Sequence, residues 1–90
     1  MLTDIKKIAG ICNDEFDTLI QNYIASAKLD LEMVGIDKSN INEKDKLIYS
    51  AIINYVMSFI DIDNSELYFN SYVLQKDALR HYKEYVSEEV

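Results

Sequence analysis

NDEFDTLIQNYIASAKLDLEMVG, residues 13–35, decides the fold. Its apolar residues are Phe16, Leu19, Ile20, Tyr23, Ile24, Ala27, Leu31 and Val34, at offsets 0, 3, 4, 7, 8, 11, 15 and 18. Those offsets trace one stripe on a 3.6-residue period, the pattern of a helix that buries one face. Asn13 is placed to cap it, with Asp14, Glu15 and Asp17 in the first turn at the positive end of the helix dipole. Gly35 stands where a left-handed C-terminal residue is wanted.

Three more helices follow by working outward. Upstream, Thr3 is placed to cap a short helix over Asp4 to Ala9, closed by Gly10, with Ile5 and Ile8 as its apolar edge. Two turns are marginal alone, so packing must hold that helix. Downstream, Ile36 to Ile41 (IDKSNI) lacks a period and reads as a loop. Asn42, with Glu43 and Asp45 behind it, opens a third helix that is apolar on nearly every side from Leu47 to Ile60. Such a helix belongs at the centre, either sandwiched by the others or partly turned toward another subunit. Asp61, Asp63, Asn64 and Ser65 make the next turn, and a fourth helix is expected to run toward Val86. Its apolar phase shifts. Leu67, Tyr68, Phe69, Tyr72 and Val73 cluster first, then Leu74, Ala78, Tyr82 and Tyr85 form a stripe, which suggests a bend near Lys76 or two faces with different neighbours. No strand-like alternation occurs, so the expected fold class is all-α, a small four-helix domain over 1–90 with 81–90 as a tail and its last four residues, SEEV, frayed.

Ninety residues allow one modest core, burying roughly 60–65 % of the surface of the unfolded chain. Hydrophobic residues make up 49 %, too many for a disordered chain, and proline is absent. Sixteen acidic side chains against nine basic give a net charge of −7, which argues against a primary binder of nucleic acid. One cysteine, Cys12, excludes an internal disulfide. Asp4, Lys6 and Lys7 interrupt what would be a signal core, and Ile48 to Ile60 is too short and too polar to span a bilayer. An intracellular, non-membrane protein is the expectation.

Catalytic and metal signals are weak. His81 is the sole histidine and has no nucleophile motif beside it, and Cys12 lacks companion ligands, so a surface histidine and a small hydrophobe are the simpler readings. The run Asp61-Ile62-Asp63-Asn64 fails the calcium-loop pattern, since position six is Glu66 and position twelve is Tyr72. Two glycines 25 residues apart cannot build a phosphate loop. No enzyme activity, cofactor or metal is therefore expected. The tyrosines are more informative: Tyr68, Tyr72, Tyr82 and Tyr85 are interleaved with Lys76, Arg80 and Lys83. Core packing, a protein interface and base stacking all use that pattern, but Asp77, Glu84, Glu88 and Glu89 weaken the field that would recruit a strand. Assembly is favoured over chemistry.

The order of parts resembles the gp6-like head–tail connector proteins of tailed phages and prophages, also described as DNA-packaging or adaptor proteins. The resemblance runs from Leu2 to Tyr85 and rests on Ile24-Ala25-Ser26-Ala27-Lys28-Leu29-Asp30-Leu31 with Gly35-Ile36, on Ala51-Ile52-Ile53-Asn54-Tyr55-Val56, and on the Asp63-Asn64 turn leading to Phe69-x-x-Ser71-Tyr72. The chain departs from some members at Met57 to Ile62. The resemblance implies a structural virion protein that forms a homo-oligomeric ring on the portal protein, extends the DNA channel and receives stopper or tail-completion proteins, the free subunit being able to wait as a monomer. It implies a location at the head–tail junction of the virion, and in the host cytoplasm during assembly. DNA passes through such a ring without sequence-specific binding. The expected subunit or portal interface comprises Tyr72, Lys76, Arg80, Tyr82, Lys83, Tyr85 and Val86, with residues 81–90 as the loose counterpart of a portal-engaging segment. The alternative reading is a small acidic helical regulatory protein that binds one protein partner; a nucleic-acid-binding or enzymatic domain stands behind both.

Overall fold

A computed structural model describes residues 1–86 of the chain, and the SEEV stretch expected to fray lies outside the described residues. Four α-helices account for the architecture: α1 (Leu2–Ala9), α2 (Asp17–Met33), α3 (Lys46–Ile60) and α4 (Ser65–Leu79). The all-α expectation holds. Single 3₁₀ turns, Lys38–Asn40 and Ile62–Asn64, lie in the connections before α3 and α4.

The apolar run of α3 places it at the centre, with α4 on one side and α1 and α2 on the other. Ile48, Ala51, Ile52, Val56 and Met57 of α3 are buried, and they meet Ile20, Ile24, Ala27 and Leu31 of α2, the inner half of the stripe read from the sequence. Ile5 closes the core from α1, while Ile8 points outward. From α4 only Tyr72 and Leu79 are fully buried, with Tyr68 packed beside them.

Gly10 ends α1 with φ +72°, a left-handed conformation that an L side chain adopts only with strain, and its N–H group reaches back to the last carbonyls of the helix. Gly35, at φ +101°, turns the chain two residues past the end of α2.

Helix starts differ from the sequence reading: α1 and α2 begin without a side-chain cap, and at α3 Asp45 takes the place expected of Asn42. Thr3 lies inside α1, which begins at Leu2 because that side chain packs on the core. Asn13 does not cap α2; its Oδ1 accepts from the Glu15 N–H (3.0 Å) in a local turn, and the helix begins at Asp17. Lys6 pins that turn, bonding Asp14 and Asp17 at 2.8 Å each. The Lys6 ammonium beside it holds the Asp14 carboxyl below its usual range. Asn42 likewise serves a preceding turn, accepting from Lys44 N–H, and Asp45 caps α3 by accepting from Leu47 (2.9 Å) and Ile48 (3.2 Å).

The largest correction concerns α4, which stops at Leu79 instead of running toward Val86. The chain then turns back on the 36–41 connection. Ile36 and Val86 form an isolated antiparallel bridge, Asp37 N–H donates to the Tyr85 carbonyl (2.7 Å), and Asn40 Nδ2 donates to the carbonyls of Glu84 (2.8 Å) and Tyr85 (3.1 Å). Continuing the helix would forgo these bonds and the burial of Tyr85 and Val86. Tertiary contact therefore outweighs helix propensity there.

Candidate assembly surface

The residues singled out on and after α4 separate into three groups. Tyr72 belongs to the interior. It is 1 % exposed, its hydroxyl donates to Asp30 Oδ2 (2.5 Å), and its ring meets Tyr55 edge-on at 5.1 Å. Burial and the Asp30 carboxylate both push its phenol pKa upward. It stiffens the α2–α3–α4 junction and offers no surface to a partner in the folded subunit. Lys76 sits one turn further on, bonded to the same Asp30 oxygen (3.1 Å) and lying 5.2 Å from the centre of the Tyr72 ring.

Tyr85 and Val86 form the second group, both half-buried. The Tyr85 hydroxyl donates to Asp45 Oδ2 (2.8 Å), so one carboxylate caps α3 with one oxygen and tethers the C-terminal segment with the other. Burial, then the Asp45 carboxylate, raise the Tyr85 pKa. Arg80, Tyr82 and Lys83 are the exposed group, together with His81, whose Nδ1 lies 2.6 Å from the Asp77 carbonyl. Arg80 also donates through Nε to Asp77 (2.9 Å), an exposed pair that contributes little stability. Tyr82 lines a small hollow of about 110 Å³ with Leu47, Gln75, Ala78 and Leu79.

This division predicts different fates for the two tyrosines. Tyr82→Ala should shift stability by no more than about 0.5 kcal/mol, as befits an exposed site. Tyr85→Ala loses a hydrogen bond and packing together, and should cost about 1–3 kcal/mol. Urea titrations followed by circular dichroism measure both; equal midpoints for the two variants would reject the distinction.

Sequence reasoning missed the other end of the molecule. Phe16 and Leu19 belong to the α2 stripe, yet both are about half exposed. With Ala9, Ile11, Ile20, Tyr23, Phe59 and Ile60 they line an apolar groove of about 370 Å³. Its floor is the parallel stack of Tyr23 on Phe59, 4.8 Å between ring centres. A second depression shares Ala9 and Ile60 and extends the groove past Ile8 to Asp61, Ile62 and Asp63. Ile62 is 85 % exposed. The signal was present in the sequence, since apolar Phe16 precedes the first helical turn and Ile62 stands alone among acids, but nothing in a periodicity count joins residues 46 positions apart. Cys12, read as a small hydrophobe, is exposed near this end of α1.

Among the described residues, no group of His, Cys, Asp and Glu side chains is arranged to hold a metal ion, and no helix is long and apolar enough to cross a membrane. Comparison with known families matches residues 1–85 to a model described as phage connector protein, a match that spans all four helices. No curated protein and no solved structure matches the chain.

Proposed function

The chain belongs to the phage connector protein family, and from that premise we propose that it is a head–tail connector subunit, which assembles as a ring on the portal protein and lengthens the channel toward the stopper and tail proteins. The observation that carries this reading is the family match over residues 1–85, which covers the entire four-helix body. Two physical features support it. Large apolar side chains stand exposed at both ends of α3 (Phe59 and Ile62 at one, Leu47 at the other) and along α4 at Leu74, more than a solitary 90-residue domain needs to show. A net charge of −7 suits a channel wall past which DNA must slide, because it repels phosphates where a basic lining would hold them.

On this reading Arg80, Tyr82 and Lys83 face a neighbour or the portal, while Tyr72, Tyr85 and Val86 shape that surface from beneath. Lys76 contributes at its edge, half-buried against Asp30. The subunits would be located at the head–tail junction. Electron microscopy of cognate portal particles mixed with the purified chain tests the proposal. Added ring density on the portal is the expected result; bare portals across a wide range of chain concentrations would overturn it.

A further inference from the structure

The two ends of this molecule complement each other. At the C-terminal end of α3 lies the apolar groove floored by Tyr23 and Phe59, and around it the sequence places Asp14, Glu15, Asp17, Asp61, Asp63 and Glu66 against only Lys6 and Lys7. Toward the N-terminal end of α3, where α4 finishes, Leu74 and Ala78 stand one turn apart on the outward side of α4. Leu74 is 72 % exposed, and the strip continues to Tyr82 and Leu47. Here five of the nine basic residues gather, Lys44, Lys46, Lys76, Arg80 and Lys83, against Asp30, Asp45, Asp77 and Glu84, with Lys76 paired to Asp30 and Arg80 to Asp77. One end is concave, apolar and acidic-rimmed; the other carries the exposed Leu74 beside a shallow hollow and holds most of the basic residues of an acidic chain. Both helices have 15 residues, so the ends are roughly 21 Å apart along the bundle.

We infer that the occupant of the Phe16–Leu19–Phe59 groove is a second copy of this chain, which inserts Leu74 of its α4, with Ala78 and the following Tyr82 alongside, and sets Arg80 and Lys83 against Asp61, Asp63 and Glu66. This rests on the ring-forming reading above and specifies which faces meet. Because donor and acceptor are different surfaces at opposite ends, the contact is heterologous. Each copy keeps one unused face, so addition continues until the rotation closes a ring. Opposite charge on the two rims fixes the orientation and opposes groove-to-groove pairing.

Zero-length carbodiimide cross-linking distinguishes this arrangement from others, because it joins an amine and a carboxylate only when they touch. Within one subunit Lys83 and Asp63 lie at opposite ends of α4, out of reach. Equal amounts of light and nitrogen-15-labelled chain, mixed with cognate portal and treated with carbodiimide, should give mixed-isotope peptides joining Lys83 to Asp61, Asp63 or Glu66. Leu74→Glu alters an exposed residue, so it should melt with the wild type yet lose those peptides and the ring density at least tenfold. Rings on the portal whose mixed-isotope links join other surfaces, or rings that Leu74→Glu leaves undiminished, overturn the assignment of faces alone. Portals without any added ring overturn the ring reading and this assignment with it.

Discussion

Ile52→Asp leaves the chain unfolded at 25 °C. Ile52 is fully buried near the middle of α3, the helix on which every other helix packs. An isoleucine there contributes about 1.5–3 kcal/mol by burial, and all of that is lost. The aspartate then meets a core cluster built from buried isoleucine, leucine, valine, alanine and methionine side chains and Tyr72. The carboxylate must either stay ionised without solvent or take up a proton at neutral pH, and either course costs several kcal/mol. A domain of this size has about 5–15 kcal/mol in total. The expected spectrum is that of a chain without cooperative melting, and the expected elution is earlier than the native subunit. Ile52→Val removes one methylene and should cost only about 0.5–1.5 kcal/mol, which separates polarity from shape at the same site. A cooperative melt in Ile52→Asp close to the wild type would mean that α3 is not the centre of the fold.

The central position of α3 was legible because eleven of its residues from Leu47 to Ile60 are apolar on all sides, and no surface helix of a small protein has that pattern. The inner face of α2 was legible for the same reason, through Ile20, Ile24, Ala27 and Leu31. The orientation of α4 was not. Its apolar residues offer two phases, and the structure buries neither complete set; the inward row is Tyr68, Tyr72, Gln75 and Leu79. A glutamine in that row hides it from any count of apolar positions. Gln75 is tolerated because α3 brings matching polar groups to it: Asn54 Nδ2 donates to its Oε1 (2.7 Å), and its Nε2 donates to Ser50 Oγ (2.9 Å). Ser50 and Asn54, four apart on an otherwise apolar helix, were the available sign of a polar seam, since buried polar groups must find partners. The end of α4 was hidden differently. No glycine or proline marks Leu79, and the stop depends on Asp37, Asn40 and Asp45, which lie some forty residues earlier. Local rules cannot see such bonds.

The same distinction decides the candidate surface. Tyr72, Tyr82 and Tyr85 looked equivalent as aromatic residues among lysines and arginines, but hydroxyl partners divide them: Asp30 claims Tyr72 and Asp45 claims Tyr85. Tyr82 stays about half exposed. Carboxylates in the last turn of α2 and at the start of α3 therefore determine which tyrosines hold the subunit together and which remain available to a neighbour.

Tyr72 allows that division to be measured. Tyr72→Ala removes a buried ring, the edge contact with Tyr55 and the hydrogen bond to Asp30, so a loss of about 3–5 kcal/mol is expected. At roughly 4–8 °C per kcal/mol for a domain of this length, the melting temperature should fall by at least about 12 °C. Tyr72→Phe keeps the ring and tests the hydroxyl through pH. In the native state burial and Asp30 raise the Tyr72 pKa above the ordinary value of 10.0, so the unfolded chain releases this proton first as pH rises. The contribution is complete below pH 10 and declines above it, at no more than about 1.4 kcal/mol per pH unit for one proton. Tyr49, Tyr55 and Tyr85 are shifted in the same direction, so the wild type should lose stability steadily above pH 10. Tyr72→Phe should lose it less steeply over the same range, and urea titrations at pH 8, 10 and 11 read the difference. Parallel declines in the two proteins would place the phenol in water, contrary to its burial. Ring assembly supplies the complementary readout. Tyr72→Ala should lose rings together with its melt, whereas Leu74→Glu should lose rings while the melt is kept, because one residue builds the subunit and the other only meets its neighbour.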